Sequence, residues 1–318
     1  QNGQINQVEA VGGVDATITI TTNNASGSPN VYTGGLIEEN NAAQISNAIA
    51  KGDVSLNSML TTRDSSYAIG LATGGLIGKN HANSTLKDVQ ALGQVDVVAE
   101  INSYRANSQL SVAAGGLIGD NQNSFISNGS SSGAVRAHVK TGFGVLPVDI
   151  TVNTDVGGLV GKNTGSNIKQ SHATGHVLAN VVSTSDFIQA NVGGLVGSQQ
   201  SNSISHSHAT GAVELNTTLN TLGANSNSEF YISTGGLVGK SHQVALSDVY
   251  ASGTVSSSAQ TQSDNFSDVK NYKTNLFAHT GGLIGQSIES QVVHVSALGA
   301  VDGSLDATVN AFARIQLC

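Results

Sequence analysis

Apolar residues recur in this chain at fixed distances from glycines, and polar residues fill the places between them. Gly-Gly pairs begin at Gly34, Gly74, Gly115, Gly157, Gly193, Gly235 and Gly281. Each pair is followed by Leu and then by Ile or Val, as in Gly74-Gly75-Leu76-Ile77-Gly78. A second glycine follows each pair, from Gly52, Gly93 and Gly133 to Gly299, 18 residues on in six copies and 19 in the other. Seven residues before that glycine stands Ile45, Leu86, Ile126, Ile168, Ile204, Leu246 or Val292. Two residues before it stands Ala50, Ala91, Ser131, Ala173, Ala209, Ala251 or Ala297, and two residues after it stands Val in all seven copies, from Val54 to Val301. Small–x–Gly–x–Val has the two-residue period of a strand, which predicts that these side chains share one face of one strand. No stretch joins a helix cap to an apolar stripe at i, i+3 and i+4.

The other half of the repeat varies in length. From the second glycine to the next pair the separations are 22, 22, 22, 24, 18, 24 and 28, counted from Gly12, which with Val14 reads as the tail of an eighth, incomplete copy. A constant half implies a backbone path that must register with its neighbours, and a variable half implies loops that grow outward. The variable halves read as strand, polar loop, strand: residues 177–182, then 183–186, then a strand from Phe187, and likewise 213–232 around the loop 223–226. These loops, with 253–280 the longest, are the expected partner contacts.

A repeat of this kind cannot bury its own apolar face, and stacking buries a continuous one. The expected fold is therefore all-β, one parallel β-solenoid over residues 1–318, with right-handed winding as the default for parallel crossovers. If one repeat is one coil, eight coils rise about 38 Å at ~4.8 Å each; a repeat of this length also allows two shorter coils. Six of the seven copies place Gly two residues after the Leu, the first having Glu38 there, and Asn80, Asn121, Asn163, Gln199, Ser241 and Ser287 follow. Gly lets backbones approach closely and permits positive φ at corners, and aligned Asn side chains on stacked strands form hydrogen-bonded ladders.

The Gly-Gly-Leu-Ile/Val-Gly unit resembles the GLUG motif, in seven ordered copies that cover nearly the whole chain. GLUG repeats are known mainly from large bacterial surface and secreted proteins, including adhesins and the non-catalytic parts of some immunoglobulin-cleaving proteases. The resemblance implies an extracellular or cell-surface protein with a display, adhesion or matrix-filament role, and it names no ligand.

Composition narrows the classes further. Charged residues are 11% and aromatics 4%, with one Met and no Trp, which suits a thin core of small and β-branched residues rather than a large round one. Net charge is −8 and no basic cluster exists, against nucleic acid as a partner. No apolar run approaches the ~18 residues of a membrane helix. Gln1 is not a start Met, so a mature or excised piece is expected. The single Cys318 makes no internal disulfide framework, and a free terminal thiol is expected in preference to an intersubunit bridge.

Candidate chemistry is sparse. His172 and His208 share a column, His206 lies beside them, and three imidazoles on adjacent coils suit a transition metal. The same column holds Ile49, Gln90, Ser130, Tyr250 and Ser296, so a solvated outer ladder is the better reading. A glycosidase needs two carboxylates at a defined separation, whereas Asp53, Asp88, Asp120 and Asp248 are scattered and Glu38-Glu39 should point to opposite faces. Gly239-Lys240-Ser241 is the nearest approach to a phosphate loop, and the repeat explains it. Thr17, Thr19, Thr21 and Thr22 suggest an ice-binding run, though Asp96-Val97-Val98 stand in the aligned positions later. Asn24, Asn83, Asn128, Asn216 and Asn265 open Asn-x-Ser/Thr triplets that an Asn- and Ser-rich chain produces by chance. No catalytic, cofactor-binding or metal-binding residue is assigned. The chain is expected to be structural or adhesive and not an enzyme, with head-to-tail self-association possible through uncapped ends. Polysaccharide-binding or polysaccharide-degrading β-helices, and ice-binding solenoids, are the alternatives.

Overall fold

Each repeat closes one coil, and each coil supplies four strands. The computed structural model describes residues 3–22, 27–63, 67–103, 108–143, 150–184, 187–220, 228–262, 274–308 and 313–317. Thr85–Ala91, Val95–Ser103, Ser108–Gly115 and Ile118–Gln122 illustrate the four strands in chain order. Each pairs in parallel with its equivalents one coil away, as in Leu86↔Ile126, Val95↔Val135, Gly74↔Gly115 and Asn80↔Asn121. Among the described residues this gives four parallel sheets of 10, 8, 8 and 7 strands. The first sheet reaches 10 because two of its coils split the strand into short pieces, such as Asn167–Lys169 and His172–Ala173. The choice left open by repeat length is thus settled as one coil per repeat.

The invariant columns stack as expected, with Ala173 on Ala209 and Ala209 on Ala251. One expectation needs correction. The small residue and the Val do not lie on one strand: Ala91 ends a first-sheet strand, Val95 begins a second-sheet strand, and Gly93 is the corner between them. Both side chains still point inward, because the corner leaves the two-residue alternation intact.

The interior divides into two apolar columns. One lies between the second and third sheets, through Leu56, Val97, Val139, Ile188 and Phe230. The other lies between the first and fourth, through Ile45, Leu86, Leu117, Val160 and Leu246. Between them the coil is pinched. A Cβ on Gly75 would sit 3.0 Å from the Ala91 Cβ, and one on Gly194 would sit 2.9 Å from the Ala209 Cβ. The second residue of every Gly-Gly pair and the small residue before the second glycine are therefore two sides of one contact, and neither can grow. Neighbouring coils supply the burial: Leu246 is 1% exposed, and Val292, its equivalent in the last full coil, is 40% exposed. Full burial of such a side chain is worth about 1.5–3 kcal/mol, so the fold gains its stability coil by coil.

The glycines serve close approach, not unusual dihedrals. A Cβ on Gly133 would lie 1.8 Å from the Gly93 carbonyl oxygen, and one on Gly175 would lie 1.9 Å from that of Gly133. Among the described glycines only Gly165 has positive φ, which corrects the expectation of positive φ at the glycine corners. Asn47, Asp88, Asn128, Gln170, His206, Asp248 and His294, five residues before each second glycine, hold φ of 49–55° instead. A left-handed residue costs about 1–2 kcal/mol outside glycine. It places two outward residues together in the first-sheet strand, as in Ser46 and Asn47 between the buried Ile45 and Ala48.

The polar ladder is inside the coil. Asn40 Nδ2 donates to Asn80 Oδ1 at 2.7 Å, Asn80 to Asn121 at 2.7 Å, Asn121 to Asn163 at 2.7 Å, and Asn163 to Gln199 Oε1 at 2.6 Å. Gln199 Nε2 then turns to the Ser201 and Ser166 carbonyls, and Ser241 and Ser287, next in the column, bond to each other at 3.3 Å. Aligned amides polarise one another along such a chain. Asn40 belongs to the ladder although the first copy departs from the motif at Glu38. A Cβ on Gly78 would sit 2.6 Å from the Thr33 nitrogen of the coil beneath; no described coil lies beneath Glu38, which is exposed. The turn itself is unchanged, with Ile37↔Ile77 and Asn40↔Asn80 in register.

Candidate functional site: a groove along the coil axis

The third and fourth sheets meet at an angle at the Gly-Gly turn, and their outward side chains line a groove of about 730 Å³. Its bottom is formed by Ala72, Ala113 and Asp155, two residues before their Gly-Gly pairs, which point away from the core and are still covered; the buried Asn191 and Ser233 follow in the same column. Its third-sheet wall carries Ser111, Asn153 and Gln189. That wall ends in a ring stack, with Tyr231 and Phe277 at 5.0 Å and Phe187 tilted against Tyr231 at 5.8 Å. Its fourth-sheet wall is one column, Lys79–Asp120–Lys162–Ser198–Lys240, in register from coil to coil.

The charges in the groove perturb one another. Asp155 accepts from Asn191 Nδ2 at 2.8 Å, yet burial dominates and pushes its carboxyl up to about 6, against the opposing effects of Asn191, Lys162 and Lys240. Burial also raises Asp120, which Lys162, Gln122 and Lys79 only partly offset. Lys240 is lowered by burial and supported by Asp155. Burial works against the Lys79 ammonium, but a 3.0 Å hydrogen bond to the Tyr32 hydroxyl, with Asp120 and Glu39 nearby, outweighs it and raises the pKa. Sequence reasoning named Asp120 as scattered and missed Asp155; its signal was an Asp where other copies carry Tyr, Ala, Asn, Ser or His in one outward column.

The other candidates fall elsewhere. His172 and His208 stack at 5.1 Å on the outer face of the first sheet, and Tyr250 continues the stack at 4.6 Å. Burial and His172 lower the pKa of His208. His206 does not join them; it faces Asp248 at 3.7 Å, which also meets His294 at 3.3 Å. Among the described residues no group of three or more His, Cys, Asp or Glu is arranged to hold a metal ion. Lys240 points into the groove from the strand Val238–His242 and Ser241 points into the ladder, so no phosphate loop forms there. Thr17, Thr19 and Thr21 pair with Asn57, Met59 and Thr61, so the threonine array is largely one coil deep. Glu38 and Glu39 are both exposed.

The length differences between repeats are absorbed where the second sheet hands over to the third, since both sheets keep their register throughout. Residues 185–186, the loop 223–226 and most of 253–280 beyond Gln262 lie outside the described residues, as do Asn24, Asn265 and Cys318.

The family model described as "The GLUG motif" matches residues 152–178 and 189–214. Each match opens in the third sheet, crosses the Gly-Gly turn and the fourth and first sheets, and ends at the first residues of the second. No curated protein and no solved structure matches the chain. The two matched coils carry the GLUG motif, and they share every invariant column with their neighbours.

Proposed function

We propose that the chain is an extracellular structural and adhesive rod, without a catalytic role, that stacks head to tail with a second copy of itself. The observation that carries this reading is that the first and the last described coils present matching columns. Val292, Ala297 and Val301, exposed, and the half-buried Gly299 end the first-to-second-sheet corner at one end; Ile5, Ala10, Gly12 and Val14 begin it at the other. Open strand edges of this kind accept another strand. Gly12 is the informative residue: a Cβ there meets nothing within 4 Å, whereas a Cβ on Gly52, one coil in, meets the Gly12 oxygen at 2.2 Å. Gly12→Val therefore leaves the single chain intact and obstructs a second copy. Light scattering across concentration should show mass growing for the parent chain and a constant single-chain mass for Gly12→Val. A parent chain that stays single at the highest concentration refutes the stacking.

A second reading, polysaccharide cleavage, is favoured by one observation: Asp120 and Asp155, two carboxyls held above their ordinary range, share the groove. Burial-raised carboxyls are the usual general acids of glycoside hydrolysis. Release of reducing ends from a polysaccharide by the parent chain, and not by Asp155→Asn, would support cleavage over the structural reading.

A further inference from the structure

The groove carries three lysines, Lys79, Lys162 and Lys240, against two carboxyls, Asp120 and Asp155, on a chain whose net charge is −8. Of the three lysines in its fourth-sheet wall, Lys79 is engaged by Tyr32 at 3.0 Å and lies 4.0 Å from Glu39. Lys162 and Lys240 have no carboxylate within 4.0 Å among the described residues. They occupy one column two coils apart, with Ser198 between them, which places them about 9.6 Å apart along the axis. That distance is close to the length of a disaccharide in an extended polysaccharide chain. Gln189 on one wall and Gln200 on the other bring amide donors and acceptors to the same stretch. The groove runs along the rod, so a linear ligand crosses successive coils without bending.

We propose that the stretch of groove from Lys162 to Lys240 binds a linear, uronate-bearing polysaccharide, with alternate carboxylates at the two ammonium groups and sugar hydroxyls at Gln189 and Gln200. The inference rests on the adhesive part of the reading above and is independent of head-to-tail stacking. Charge-assisted hydrogen bonds to lysine supply the stronger contacts. The overall negative charge disfavours polyanion binding elsewhere on the surface.

The test is titration of labelled oligogalacturonate and chondroitin sulfate oligosaccharides at low ionic strength, with light scattering on the same samples. The parent chain should bind at least one of the two, more weakly as salt is added. The double variant Lys162→Gln/Lys240→Gln should lose about tenfold or more, the scale expected when two charge-assisted contacts are removed. Lys87→Gln/Lys169→Gln on the first sheet should bind as the parent does, and neutral dextran should not bind. All four lysines are outward, so circular dichroism should show both double variants folded like the parent. Failure of both oligosaccharides to bind, equal loss in the first-sheet variant, or equally tight binding of poly-glutamate would each overturn the proposal. Unchanged scattering in those cases would leave the stacking reading standing.

Discussion

Replacing Asn121 by Ala removes the middle of the internal amide ladder and leaves both neighbours without their partners. Asn80 Nδ2 loses its acceptor at 2.7 Å and Asn163 Oδ1 loses its donor at 2.7 Å, and both side chains are 0% exposed. Asn163 keeps its own donation to Gln199, so the damage is one orphaned donor and one orphaned acceptor. A buried group left unpaired costs about 1–3 kcal/mol, which gives about 2–6 kcal/mol for the pair. Asn40→Ala orphans only the Asn80 oxygen and should cost about half as much, 1–3 kcal/mol. The comparison between the two variants is sharper than either value alone, because both delete the same atoms. Urea unfolding followed by circular dichroism gives the shift in midpoint. Amide exchange gives the local effect, which matters because coils in a stack need not unfold together. Protection should fall first in the fourth-sheet strands Ile77–His81 and Val160–Thr164 that flank the change. A cost for Asn121→Ala no larger than that for Asn40→Ala would refute the ladder as a chain of dependent bonds.

Two further changes test other parts of the account. Gly133→Ala forces a Cβ to 1.8 Å from a backbone oxygen that cannot move without shifting a whole coil, so soluble yield should collapse or the melting temperature fall steeply; a melting temperature like the parent's would contradict the glycine stack. Asp155→Asn tests the groove bottom through pH. The folded carboxyl sits at about 6 against an ordinary 3.8, so folding is penalised when it ionises: the penalty is absent below pH 3.8, grows as pH rises to 6 and is complete above that. At about 1.4 kcal/mol per pH unit the full penalty is about 3 kcal/mol, and the variant should melt higher than the parent at pH 7.5 and together with it at pH 3.5, with no difference at either pH as the contrary result.

The repeat was legible because stacking makes the same demand in every coil. Ala173, Ala209 and Ala251 could be aligned from spacing alone, and the structure puts them in contact. The four-strand coil was not legible, because Ala91, Gly93 and Val95 keep a strand's alternation through a corner, and alternation does not distinguish a straight strand from two strands that meet. The left-handed residues were hidden for a different reason. Asn47, Gln170, His206 and Asp248 differ in chemistry, and the common factor is a backbone dihedral that stacking imposes. The groove was missed because its walls are variable outward positions, Asp155 and Lys240 among them, which only acquire a shared role once the turn has set the two sheets at an angle.

The most direct test of in-register stacking is a pair of distances along one outward column. Ser46, Lys87, Ser127, Lys169, Ser205 and Ser247 succeed one another coil by coil. With Cys318 replaced by Ser, spin labels at Ser46→Cys/Ser205→Cys should lie about 19 Å apart and those at Ser46→Cys/Ser247→Cys about 24 Å apart, at ~4.8 Å per coil. Distances by double electron–electron resonance that fail to rise by about one strand spacing between the two pairs would contradict a stack with one repeat per coil.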